Sequence, residues 1–138
     1  MSFRHLNLAV VDGTFAVCRL GADATIPAWA TAVRFFSITR TAEEQSIVCH
    51  QDAMPEGVVG ERGWRCLRVA GTMPFSVVGV LASLTAPLAE AGISVFAVST
   101  FDTDYLLVKD KDLTAARDTL RQRGHKVHDG QFGVGAVC

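Results

Sequence analysis

The sequence predicts an α+β fold whose second half, from Trp64 to about Asp129, runs β-α-β-β-α-β. Three observations carry that expectation. Two strand-like runs, Ser94 to Thr100 and Tyr105 to Lys109, are joined by the turn Phe101-Asp102-Thr103-Asp104. A segment of helical spacing precedes them, with Val77, Val80, Leu81, Leu84, Leu88 and Ala91 on one face, and a second follows with Leu113, Ala116 and Leu120. Gly92 and Gly124 stand where such helices end.

In the first half, Leu6 to Val11 and Thr14 to Leu20 read as strands joined at Asp12-Gly13, a dipeptide suited to a tight hairpin. Pro27 to Ala32 is long enough for only a helical turn or two. Arg34 to Arg40 and Gln45 to His50 are again strand-like, with Thr41 to Glu44 as a polar turn. From Gln51 to Gly63 the composition shifts to Pro55, Gly57, Gly60 and Gly63, which predicts a loop or linker. A division near residue 62 follows, with units 1–62 and 63–138.

Trp64 to Val69 forms the next strand, ending at Ala70-Gly71. The helix from Ser76 to Ala91 contains Pro87, which removes the hydrogen bond to the Ser83 carbonyl and predicts a kink. Ile93 to Thr100 is almost all apolar or small, as in a central strand buried on both faces. Asp112 caps the last helix, Lys126 to Asp129 supplies the last strand, and Gly130 to Cys138 forms a Gly-rich tail.

Composition narrows the function. Thirteen Lys and Arg against 14 Asp and Glu leave a net charge of −1, which lacks the basic footprint of a nucleic-acid binder. No apolar run approaches the roughly 20 residues that span a bilayer, so the expected location is the cytoplasm. Cys18, Cys49, Cys66 and Cys138 show no Cys-x-x-Cys pair, and 49% hydrophobic content suits reduced thiols in a core. Neither a dinucleotide fingerprint nor a phosphate loop is present, and no metal or cofactor is expected.

Two places invite a ligand. The turn from Gly71 into the helix at Ser76, with Gly79 in its first turns, offers unpaired N–H groups and the positive end of a helix dipole to a carboxylate. The same residues serve a purely structural role if Ser76 only caps the helix and Gly79 only permits close packing. Asp102 and Asp104 place carboxylates at the hairpin, able to hold an ammonium or guanidinium or simply to satisfy local backbone. Neighbours on a strand face opposite ways, so Cys49 and His50 do not make a nucleophile and base. His5, His50, His125 and His128 carry no catalytic task, the two after the last helix suiting its C-terminus as cations.

The strings Ser37-Ile38-Thr39-Arg40-Thr41, Glu44-Gln45-Ser46-Ile47-Val48 and Gly92 through Val108 resemble small bacterial ACT-domain proteins. They are similar to the ACT pairs of CASTOR arginine sensors and, more distantly, to aspartate kinase regulatory domains. The resemblance covers about residues 14 to 128. It implies tandem ACT-like units, each a ferredoxin-like antiparallel sheet backed by helices, with an amino acid held at their junction. Carried over by position, Ser76, Val77, Val78, Gly79 and Val80 look like the backbone cradle. Thr100 and Phe101 look like strand-end contacts, Asp104 like the partner of a cationic group, and Ser37 with Ile38 like the contribution of the first unit. The first half departs from a full unit, its first helix short and its second replaced by the Gly-rich loop.

The resulting expectation is a non-catalytic regulatory or sensor module that binds a small amino acid, forms a homodimer and acts on an unidentified effector protein. The alternative is a structural homo-oligomerisation module without ligand.

Overall fold

The computed structural model describes residues 5–70 and 78–129. The chain divides into two compact units. One takes the residues up to Asp12 and from Arg65 onward, and the other runs from Gly13 to Trp64. The division expected near residue 62 leaves the first dozen residues with the N-terminal part. The structure groups them with the C-terminal part, because strand pairing between distant segments outweighs chain proximity.

Strand β1 spans Asn7–Leu20 without interruption, so the hairpin expected at Asp12-Gly13 does not form. Gly13 has φ +104°, the left-handed conformation that a turn would also use, and here it lets an extended strand continue. The two halves of β1 have different partners far along the chain, and those pairings override the local turn signal.

The unit containing Arg65 onward comprises the start of β1, the end of β4 (Val59–Val69), helix α1 (Val80–Glu90), β5 (Phe96–Ser99), β6 (Asp104–Lys109), α2 (Leu113–Gln122) and β7 (Lys126–His128). Its sheet order is β7-β1-β4-β6-β5. The expected β-α-β-β-α-β succession is present, and the N-terminal strand is inserted into it as a fifth. β1 runs parallel to β7 over Asn7↔Lys126, Leu8↔Val127 and Ala9↔His128. On its other side, Ala70 N–H donates to the Asn7 carbonyl at 2.8 Å. The sheet is therefore mixed rather than antiparallel throughout.

Both helices lay their apolar faces on this sheet. Leu84 and Leu88 from α1, and Leu113, Ala116 and Leu120 from α2, share one core with Leu8, Leu67, Leu106, Val108 and Val127. Burying each large aliphatic side chain contributes about 1.5–3 kcal/mol, which makes this the main stabilising mass of the unit.

Three details differ from the sequence expectation. β5 is shorter than Ile93 to Thr100 and lies at the end of the sheet order with alternating half-buried and exposed residues, so it is not a central strand. α1 starts at Val80 rather than Ser76, with Gly79 at its N-cap. Asp112 occupies the N-cap position of α2 but makes no capping bond, its carboxylate lying 3.7 Å from Lys111 Nζ instead.

The unit from Gly13 to Trp64 comprises the rest of β1, β2 (Ser37–Arg40), β3 (Gln45–His50) and the start of β4, in the order β2-β3-β1-β4. β3 is antiparallel to both neighbours, with Val17↔Val48 and Ser37↔Val48 in register. Thr41 closes the β2–β3 turn by accepting the N–H groups of Glu43 and Glu44 at 3.1 Å each. Gly60 lies so close to β1 that a Cβ there would stand 2.7 Å from Cys18 Cβ, so the segment expected as loop begins a strand at Val59. Among the described residues this unit has no α-helix, only 3-10 turns at Ala28–Thr31 and Gln51–Ala53. The helix backing expected of a tandem repeat is therefore not found here, and the small core of Ala16, Cys18, Ala30, Ile47, Cys49 and Met54 is closed by the turn carrying Ala30.

Candidate functional site

The β5–β6 turn is built by two threonines. Thr100 N–H donates to the Thr103 carbonyl at 2.8 Å, and Thr100 Oγ1 accepts the Thr103 N–H at 3.2 Å. Thr103, 3% exposed, then donates its hydroxyl to the Val69 carbonyl at 2.8 Å. That bond ties the turn to the end of β4. α1, about 16 Å long by its rise per residue, leads through Gly92 to the opposite end of β5, so its first turn returns to the end where the hairpin sits.

Val78, Gly79, Val80, Thr100, Phe101 and Asp104 consequently share one end of this unit. Gly79 has φ +80°, and the first intrahelical bond runs from Ser83 N–H to its carbonyl at 2.9 Å. No side chain caps the helix, so the N–H groups of its first turn have no partner inside it. Val78 and Phe101 are 82% and 79% exposed, a large apolar area for one small surface. Ser76 and Val77 lie outside the described residues.

Asp104 faces Ser99 across the β5–β6 pair, and Ser99 Oγ donates to Asp104 Oδ1 at 2.6 Å. This bond fixes the carboxylate at the sheet end, whereas Asp102 lies exposed on the turn. Ser37 and Ile38 belong to β2 of the other unit, where Ile38 packs against the small core.

Chemistry of another kind finds no footing at Cys49 and His50. Burial pushes the Cys49 thiol up to about 12, with the neighbouring Cys18 adding to the effect. His50 Nδ1 accepts the Asp52 N–H at 3.2 Å. Among the described residues no group of three His, Cys, Asp or Glu side chains is placed to hold a metal ion. No helix among them is long and apolar enough to cross a membrane.

The sequence reading missed His125. It is 5% exposed rather than a solvated cation at a helix end, and its Nδ1 accepts the Leu6 N–H at 3.1 Å. Its ring also bonds to the backbone of Ser83, and burial pulls its pKa down, with His5 adding to the drop and the Ser83 bond opposing it. The signal in the sequence was Pro87, whose missing N–H frees the Ser83 carbonyl. A cavity of about 400 Å³ opens beside this ring, and neither Gly79 nor Val80 lines it.

Comparison with known proteins places these features among relatives. The family model described as the ACT domain matches residues 59–122, and a second model describing an N-terminal domain matches residues 13–57. The human cytosolic arginine sensor for mTORC1 subunit 1 is 33% identical over 100 residues, covering 64% of this chain and 30% of that protein. Human putative protein CASTOR3P is 32% identical over 103 residues, covering 65% of this chain and 63% of its own length. The chain thus spans between about a third and two thirds of the curated relatives it matches. A crystal structure of an Agobacterium tumefaciens protein is 39% identical, with TM-score 0.87 over 95% of this chain and all of the other. The regulatory subunit of aspartate kinase from Thermus thermophilus, 12% identical, shares the fold at TM-score 0.59 over 84% of this chain and 96% of its own.

Proposed function

Because the chain is an ACT-domain protein, we propose that it is a non-catalytic regulatory module that binds a small amino acid. The observation that carries this reading is the Thr103–Val69 bond, which holds the hairpin of Thr100, Phe101 and Asp104 at the end of the unit where α1 begins. The N–H groups beside Gly79 and Val80 take the α-carboxylate, helped by the positive end of the helix. Asp104, oriented by Ser99, takes the ammonium or another cationic group, while Val78 and Phe101 cover the apolar part.

Names of relatives support the class: one is an arginine sensor and another a regulatory subunit of aspartate kinase. Ser76 and Val77 complete the cradle in this proposal, and Ser37 with Ile38 enter it on the resemblance alone. A second copy of the chain and an effector protein supply the output, since binding changes nothing unless it favours one arrangement over another.

Calorimetry with the twenty amino acids tests the reading. One of them is expected to bind in the micromolar to millimolar range, as a few charge-assisted hydrogen bonds of about 1.5–3 kcal/mol each allow. Asp104→Asn is expected to weaken that binding at least about tenfold, and Asp102→Asn much less. Heat with none of the twenty would instead favour the structural oligomerisation module, and equal affinity of wild type and Asp104→Asn removes that residue from the site.

A further inference from the structure

The cavity of about 400 Å³ lies along the middle of α1, where Ala82, Ser83, Ala86 and Pro87 form one stripe of the helix. His125 and Arg123, from the turn between α2 and β7, face that stripe together with His5. We propose that this cavity is a second ligand site of the protein, for a small organic acid made of an apolar tail and one carboxylate. The site shares no lining residue with the group at Val78, Gly79, Val80, Thr100, Phe101 and Asp104, and it does not rest on the function proposed above.

Side-chain size makes the opening. Ala82 and Ala86 are exposed positions on α1 that reach little into space, and the ring of Pro87 continues the apolar wall. His125 closes the floor without offering a hydrogen bond, since one ring nitrogen is committed to Leu6 N–H and the other to the Ser83 backbone. His5 stands edge to face with it, ring centroids 6.3 Å apart. The interior therefore suits an apolar body, and its volume, near the lower end of the ~300–1,000 Å³ usual for ligand pockets, demands a small one.

Charge at the rim selects the head group. Arg123 bonds Glu90 through Nη2. A guanidinium carries five N–H donors in a fork, so one carboxylate does not exhaust it and a second fits. Glu90 beside it disfavours a polyanion, and the apolar floor disfavours a fully hydrated ion. A monocarboxylate with a short hydrocarbon tail meets both conditions.

Hexanoate and hexanol are the probes, titrated separately into the whole chain and followed by amide chemical shifts. The expected result is saturable hexanoate shifts clustered at residues 82–87 and 123–125, with hexanol about tenfold weaker. Ala86→Leu fills the opening from an exposed helical position with a strong helix former, so it keeps the fold and abolishes the hexanoate shifts. Arg123→Gln brings hexanoate down to the level of hexanol, and Asp104→Asn leaves hexanoate unchanged. The proposal is overturned by the absence of shifts, by equal hexanoate and hexanol binding, or by Ala86→Leu that still binds. Shifts at the same residues on raising protein concentration without probe assign the face to a second copy and also overturn it.

Discussion

The ring of His125 bonds to the backbone of Ser83, the residue whose carbonyl Pro87 cannot serve for want of an N–H. An internal proline thus costs α1 one hydrogen bond, and a histidine from beyond α2 replaces it. The same ring accepts the Leu6 N–H and so pins the start of the inserted strand, next to the bond from Lys126 N–H to the Leu6 carbonyl at 2.9 Å. Three segments distant in sequence meet on one neutral imidazole.

That arrangement predicts a pH dependence. Protonation would turn Nδ1 from acceptor to donor against the Leu6 N–H, and burial disfavours the charge, so the pKa in the folded chain lies below the ordinary 6.5. The unfolded chain takes up the proton first as pH falls. Stability from this residue is therefore complete above about pH 6.5 and declines below it, until the folded form also titrates. Urea unfolding at pH 7.5 and 5.5 measures the loss, and His125→Gln, which keeps one donor and one acceptor without titrating, is expected to shrink the difference. An unchanged difference would remove His125 as its source.

Thr103 makes the next prediction. Thr103→Val keeps the shape but removes the hydroxyl from a buried position and leaves the Val69 carbonyl without that donor. The expected loss is about 1–2 kcal/mol in urea unfolding. Thr103→Ser, which keeps the hydroxyl, should recover most of it. Because the same bond locates the hairpin, Thr103→Val should also weaken any amino-acid binding, and full affinity would separate the turn from the site.

Legibility in the sequence followed the range of the interactions. Helix α2 was readable because Leu113, Ala116 and Leu120 repeat at helical spacing and Gly124, with φ +91°, stops it. β3 was equally clear from Gln45 to His50. The insertion of β1 between β7 and β4 left no local trace, since pairing partners more than a hundred residues apart do not alter each other's composition. β5 misled for a related reason: apolar content shows that a strand is buried somewhere, not whether neighbours flank both of its edges. At the candidate site the hairpin was legible from Phe101 to Asp104, whereas the Ser99–Asp104 bond depends on register.

Gly13 separates the two meanings of an Asp-Gly dipeptide. Its φ of +104° and a hypothetical Cβ only 3.2 Å from His50 Cδ2 make any side chain unfavourable there. Gly13→Ala is expected to destabilise by about 1–2 kcal/mol. Gly21 has open space around its Cβ position, so Gly21→Ala should stay within about 0.5 kcal/mol. Thermal unfolding of both variants checks the contrast, and equal melting temperatures would mean that the strand tolerates a side chain at its bend.

The thiols of the smaller core give the last test. Cys18 and Cys49 lie on paired strands, offset by two residues and so on the same face, and each is almost fully buried. Burial raises the pKa of both, Cys49 to about 12. At pH 8 roughly one Cys49 in ten thousand is then a thiolate, the form that attacks alkylating agents. Native protein treated with iodoacetamide should leave both residues unmodified over hours, and the same treatment in urea should modify them, as read by peptide mass spectrometry. Alkylation of Cys49 in the native state as fast as in urea would show that this core opens freely, and would make the thiol a reactive group rather than a packed one.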